Sequence, residues 1–181
     1  MTLYLDKYRI EFARLRGWDY RSRGWYFVTI CTQNRATIFG EITEGLVKLS
    51  CLGLIADLEI QALPSHYTNV QIDASVVMPN HVHVLIMIDG DHCFTPNPSG
   101  VQSIESTPSG LSSPRPGSLS SIIRSYKAGV SRRSRESGLT LAIWQPRFHD
   151  HILRGDAMIA AVRDYIRNNP ANWLQDKENR P

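Results

Sequence analysis

The chain has no long hydrophobic run. No apolar stretch approaches the roughly 20 residues that a membrane-spanning helix needs, so no transmembrane segment is expected. The opening "MTLYLDKYRIEF" has neither an apolar core nor a cleavage pattern, so no secretory signal is visible. Cysteine is scarce: Cys31, Cys51 and Cys93 are three, widely spaced, with no C-x-x-C pair. That argues against a disulfide framework and a cysteine zinc site, and it fits a reducing compartment. Charge of one sign is also lacking, with 20 Lys and Arg against 17 Asp and Glu and a formal net charge of +3. Such a mild basic excess points only weakly to an anionic partner. No internal repeat is present. The 181 residues, 42% hydrophobic and 9% aromatic, suit one soluble cytosolic domain that can bury its own core.

Residues 1–24 read as a basic arm, with Arg14 and Arg16 beside Trp18 and Tyr20. Arginines position phosphates and aromatic rings stack on bases, although a solvated arm has the same composition. One domain is expected over 25–175, with a tail at 176–181. "WYFVTICTQ", 25–33, is rich in aromatic and β-branched residues and predicts a strand. Apolar residues at 46, 49, 52, 55, 58 and 62 predict a helix over 44–63, ended by Pro64. "VQIDASVVMP" and "HVHVLIMID" predict two antiparallel strands about a Pro79-Asn80 turn. Within 89–117, Pro, Gly and Ser fill 15 of 29 positions, which predicts a flexible loop inside the domain.

A helix capped by Ser118 should follow, with Leu119, Ile122, Ile123, Tyr126 and Val130 on one face. Arg124, Lys127, Arg132 and Arg133 precede its first acid, Glu136, and are candidate phosphate contacts. "LAIWQPRFHDHILRG" reads as one or two short strands, and "DAMIAAVRDYIRNNP" as a last helix stopped by Pro170. The order β-α-β-β-loop-α-β-α predicts an α+β, ferredoxin-like, split β-α-β antiparallel sheet with helices on one face and a C-terminal helix that carries Tyr165.

His81 and His83 stand one residue apart within an apolar strand. Strand alternation sends both to one face, while Val82, Val84, Ile86 and Ile88 face the other way. Two neutral imidazoles one strand step apart can grip a cation. Hydrogen-bonded histidines on a polar sheet face would give the same pattern. His149 and His151 in "RFHDHIL" form a competing pair. On the last helix, Tyr165 and Asn169 lie at i and i+4, side by side. On those two residues alone, a half-buried aromatic and a helix cap account for the pattern.

Five segments in order carry a resemblance: "GWDYRSRGWYFVTICTQNRATIFG", "MPNHVHVLI", "IIRSYKAGVSRR", "WQPRFHDHILR" and "DYIRNNP". Together they resemble the one-tyrosine HUH transposases of bacteria, and among these the REP-associated branch. The resemblance runs from about residue 14 to 173, the 89–117 loop excepted. It implies a metal-dependent single-stranded DNA endonuclease and strand transferase. Tyr165 would be the nucleophile, and His81, His83 and Asn169 the holders of Mg2+ or Mn2+. It implies hairpin DNA as partner, a bacterial, nucleoid-associated location, no membrane, and a monomer or homodimer. The family pattern contains His149 and His151 as well. Two other functions remain open on the residues: a non-catalytic hairpin binder, and a metal phosphoesterase that uses water.

Overall fold

The sheet that carries the site is built on one central strand whose two faces differ. The structure is a computed structural model and describes residues 3–4, 8–9, 15, 17–90, 114–176, 178 and 179. Two short strands, β1 (Leu3–Tyr4) and β2 (Tyr8–Arg9), pair near the N-terminus. Then come β3 (Gly24–Cys31), a hairpin of β4 (Gly40–Thr43) and β5 (Leu46–Leu49), and α1 (Cys51–Gln61). A single turn of helix, α2 (Leu63–His66), leads into β6 (Val70–Met78) and β7 (His81–Ile88). The chain closes with α3 (Leu119–Glu136), β8 (His149–Leu153) and α4 (Asp156–Asn168).

The main sheet has the order β6-β7-β3-β8, and every neighbouring pair is antiparallel. β3 and β6 therefore run parallel on either side of β7, joined through α1. β7 and β8 likewise flank β3, joined through α3. This is the expected split β-α-β interleaving. Pro79 and Asn80 form the two-residue turn between β6 and β7, with Met78 opposite His81.

Alternation along β3 and β7 makes two cores. Tyr26, Val28, Ile30, Val82, Val84, Ile86 and Ile88 bury against Leu52, Ala56 and Ile60 of α1 and Ile122, Ile123, Tyr126 and Val130 of α3. Each such fully buried aliphatic side chain contributes about 1.5–3 kcal/mol. The opposite face takes α4, whose Ile159, Val162 and Ile166 pack on Phe27, Leu85 and Leu153. The helices thus split, α1, α2 and α3 on one face and the tyrosine helix alone on the other. A register shift between Ile72 and Ala74 turns Asp73 outward. Arg163 of α4 grips its carboxylate with two hydrogen bonds, 2.7 and 2.8 Å.

One expected element differs. Residues 44–50 do not continue the helix that the apolar spacing predicts over 44–63. Glu44 and Gly45 have φ of 53° and 74°, the left-handed pair that a tight two-residue hairpin needs. Ser50 then starts α1 by accepting from the Gly53 N–H at 3.1 Å. Between α3 and α4 a single strand forms, with Trp144 making only an isolated bridge to Thr32. Arg14, Arg16 and the 91–113 part of the expected loop lie outside the described residues. Among the described residues, no helix is long and apolar enough to cross a membrane.

Candidate active site

β7 begins at His81, directly after the turn, so both histidines sit at one end of the sheet on the α4 face. They are buried, with 0% and 2% of their surface exposed, and their rings lie 4.4 Å apart between centroids. Burial holds both in the neutral form. His83 is pushed down to about 3, first by desolvation and then by Arg35. His81 is held well below the ordinary range, first by desolvation, then by His83 and Arg35. Neutral imidazoles are the form that binds a metal.

Each ring is tied at Nδ1. Thr29 Oγ1, opposite His83 across β3, lies 2.9 Å from its Nδ1. Asn80 Oδ1 lies 2.8 Å from His81 Nδ1. The Nε2 atoms face the space under α4, where the Tyr165 hydroxyl stands 3.4 Å from His83 Nε2. The Tyr165 ring meets Phe27 edge-on at 5.9 Å, which fixes its direction. Asn169 keeps helical φ and ψ one turn later and is 2% exposed. The structure therefore brings His81, His83 and Tyr165 together within one chain, with Asn169 buried one turn beyond the tyrosine.

A further residue enters from beyond the last helix. After Pro170 a short 3-10 turn, Trp173–Gln175, lays the Trp173 ring over His81 at 6.0 Å. It delivers the Asp176 side chain, 1% exposed, to 3.7 Å from His81 Nε2. His81, His83 and Asp176 each offer a ligand atom, and these atoms all lie within 4.8 Å of one another. The sequence reading placed 176 in the tail. It stands alone, seven residues after Asn169, and no local spacing marks it. Glu178 helps to seat this segment by pairing with Arg35.

The donor set fits a divalent cation. His81 Nε2 and Asn169 Oδ1 are buried without a hydrogen-bond partner among the described residues. Such atoms cost about 1–3 kcal/mol each unless something satisfies them. Two imidazole nitrogens with carboxylate or amide oxygens suit a borderline metal and leave positions open.

The other candidates fall elsewhere. His149 and His151 lie on the edge strand, on the same sheet face as His83, with Thr29 between His149 and His83 in one row. They are outside the three-residue group with mutual ligand distances. Arg124, Lys127, Arg132 and Arg133 are on α3, across the sheet from the histidines. Arg124 and Arg132 are exposed, while Arg133 pairs with buried Glu59 at 2.5 Å. Lys127 donates to the carbonyls of Gln145 and Arg147 at 2.7 and 2.5 Å, and burial pulls it down to about 8.

The fold is that of a tyrosine transposase. A REP-associated tyrosine transposase, solved bound to a REP hairpin, matches over 94% of this chain and 76% of its own, with a TM-score of 0.55 at 21% identity. The chain belongs to the same family as an uncharacterised protein of Haemophilus influenzae, 33% identical over 165 residues, 91% of this chain and 89% of the relative. No protein-family model matches.

Proposed function

We propose that this protein is a REP-associated type of HUH tyrosine transposase: a metal-dependent endonuclease and strand transferase for single-stranded, hairpin-flanked DNA. The observation that carries this reading is the Tyr165 hydroxyl, 3.4 Å from His83 Nε2, beside His81 Nε2 and Asn169 Oδ1, which are buried without a hydrogen-bond partner among the described residues.

Tyr165 is the nucleophile. Its oxygen bonds to phosphorus as the P–O3′ bond breaks, giving a 5′-phosphotyrosine and a free 3′-hydroxyl. The proton lost by the phenol matches the one gained by the 3′ oxygen. The bond energy is conserved, so reversal with a second 3′-hydroxyl rejoins strands without ATP. His81, His83 and Asp176 or Asn169 would hold Mg2+ or Mn2+, which when bound supplies Lewis-acid charge neutralisation at the phosphate. Ionising a tyrosine at neutral pH costs about 4 kcal/mol at about 1.4 per unit. One positive charge near 4 Å offsets about that much at an effective dielectric of 20. No general-base histidine is needed, in keeping with His83 and His81 being ligands. Phosphate contact is proposed for Arg14, Arg16, Arg124, Arg132 and Arg133. Lys127 acts on binding indirectly, by fixing the 145–147 backbone.

The test mixes the protein with end-labelled hairpin DNA and Mn2+. A denaturant-resistant protein–DNA adduct should form with wild type and vanish in Tyr165→Phe. Cleavage without an adduct would favour a water-using phosphoesterase. Binding unaffected by metal, with no cleavage, would favour a non-catalytic binder.

A further inference from the structure

Asn80 is 3% exposed and held between two groups. Its Nδ2 donates to the Glu178 carbonyl at 2.7 Å, and its Oδ1 faces His81 Nδ1 at 2.8 Å. A main-chain carbonyl only accepts, so the amide nitrogen must be the end that meets it. The amide oxygen left for His81 also only accepts, so His81 Nδ1 must carry the ring hydrogen. In a neutral imidazole the other nitrogen is then a bare acceptor. That nitrogen, Nε2, is buried with no hydrogen-bond partner among the described residues, and it lies 3.7 Å from the Asp176 carboxylate.

Thr29 does not impose the same choice on His83. A hydroxyl both donates and accepts, so the 2.9 Å contact at His83 Nδ1 is compatible with either tautomer. The two histidines therefore differ: one tautomer is dictated by its neighbour, and the other is left for the metal to select.

We propose that Asn80 is a positioning residue that locks His81 as the Nδ1–H tautomer and so sets the affinity of the site for a divalent cation. The Glu178 carbonyl holds the amide the right way round. Metal affinity thus depends on a main-chain atom near the C-terminus, through a residue that need not touch the ion. This inference rests on the reading of His81 as a ligand, and its test separates the two.

The experiment uses the full chain, free of metal, with nitrogen-15 in its histidines. Long-range proton–nitrogen correlations report each ring's tautomer directly. Wild type should show His81 protonated at Nδ1 and bare at Nε2. Asn80→Asp keeps an acceptor facing Nδ1 and should retain that tautomer. Asn80→Ala should give a mixture or the opposite tautomer. Calorimetric titration with Mn2+ alone should then show Asn80→Ala weaker by about 10–100-fold, the usual cost of losing an outer-shell partner, with Asn80→Asp between the two, because it keeps the acceptor for Nδ1 but loses the donor to the Glu178 carbonyl. An Nε2–H tautomer in wild type overturns the proposal at Asn80. So does wild-type Mn2+ affinity in Asn80→Ala. A wild-type Nδ1–H tautomer with no Mn2+ binding overturns the affinity claim through the metal reading instead.

Discussion

His81 and His83 are neutral because burial leaves no solvent to stabilise a charge. In the unfolded chain both would titrate near the ordinary 6.5. Between pH 6.5 and the folded value, about 3 for His83, the unfolded state binds more protons than the folded one. Stability therefore falls as pH drops through that window. Metal-free protein should lose up to about 1.4 kcal/mol per pH unit for each histidine below pH 6.5, read from urea midpoints. A His81→Gln, His83→Gln double variant should show a flatter profile. Metal binding should persist at a pH where an exposed histidine pair would already be protonated.

The third ligand position is decided at the same scale. Asp176→Ala should weaken Mn2+ binding by more than the roughly 10–100-fold that a supporting partner is worth, measured by calorimetry. Asn169→Ala reports whether the amide shares the ion. Equal affinity in Asp176→Ala would remove the carboxylate from the site. The histidine pair was legible in the sequence because strand alternation is strict: one intervening valine puts both imidazoles on one face. The i, i+4 rule put Tyr165 and Asn169 side by side on the last helix, but only the family resemblance singled them out as candidates. Asp176 was not, because no periodicity reaches past Pro170 into an irregular turn. Thr29 left one faint signal, a hydroxyl in the apolar run of β3.

At the scale of elements, close backbone approach sets what can change. A Cβ on Gly53 would stand 2.0 Å from the Phe39 carbonyl oxygen and 3.0 Å from a Leu49 side-chain carbon. Gly53→Ala should cost about 1–3 kcal/mol, the usual range for overpacking, seen as a lower unfolding midpoint. No change would mean that the start of α1 moves freely against the hairpin. The Asp73–Arg163 pair ties α4 to the edge strand β6, partly open to solvent. Its loss in Arg163→Ala should cost little stability, as for other solvent-exposed ion pairs, while loosening the helix that aims Tyr165. The helix expected over 44–63 fails for a physical reason. Leu46 and Leu49 share a helical period with α1, but the left-handed pair Glu44-Gly45 turns that stretch into a hairpin. Spacing alone does not separate these outcomes, and Ser50 was the overlooked cap.

Across the whole molecule, the succession of the four sheet strands and the three long helices along the chain follows from alternation and turn chemistry and was readable beforehand, while α2 and the two small strand pairs were not. The expected layering, helices on one face and a separate C-terminal helix carrying the tyrosine, is also what the two cores show. α3, with Arg124 and Arg132, and α4, with Tyr165, lie on opposite sides of the sheet. DNA that meets both must pass around an end of the sheet. Hairpin binding should therefore be salt-dependent, with log affinity falling linearly in log salt. An Arg124→Ala, Arg132→Ala variant should lower that slope by up to about 1.8 if each contacts a phosphate. An unchanged slope would free α3 from the DNA path. The adduct itself shows which residue attacks the DNA. Wild-type protein treated with hairpin DNA and Mn2+ is digested with nuclease and protease, and the peptides are mapped by mass spectrometry. A nucleotide joined through phosphate to Tyr165 is the expected result. A nucleotide on any other residue, or cleaved DNA with no modified peptide, would contradict it.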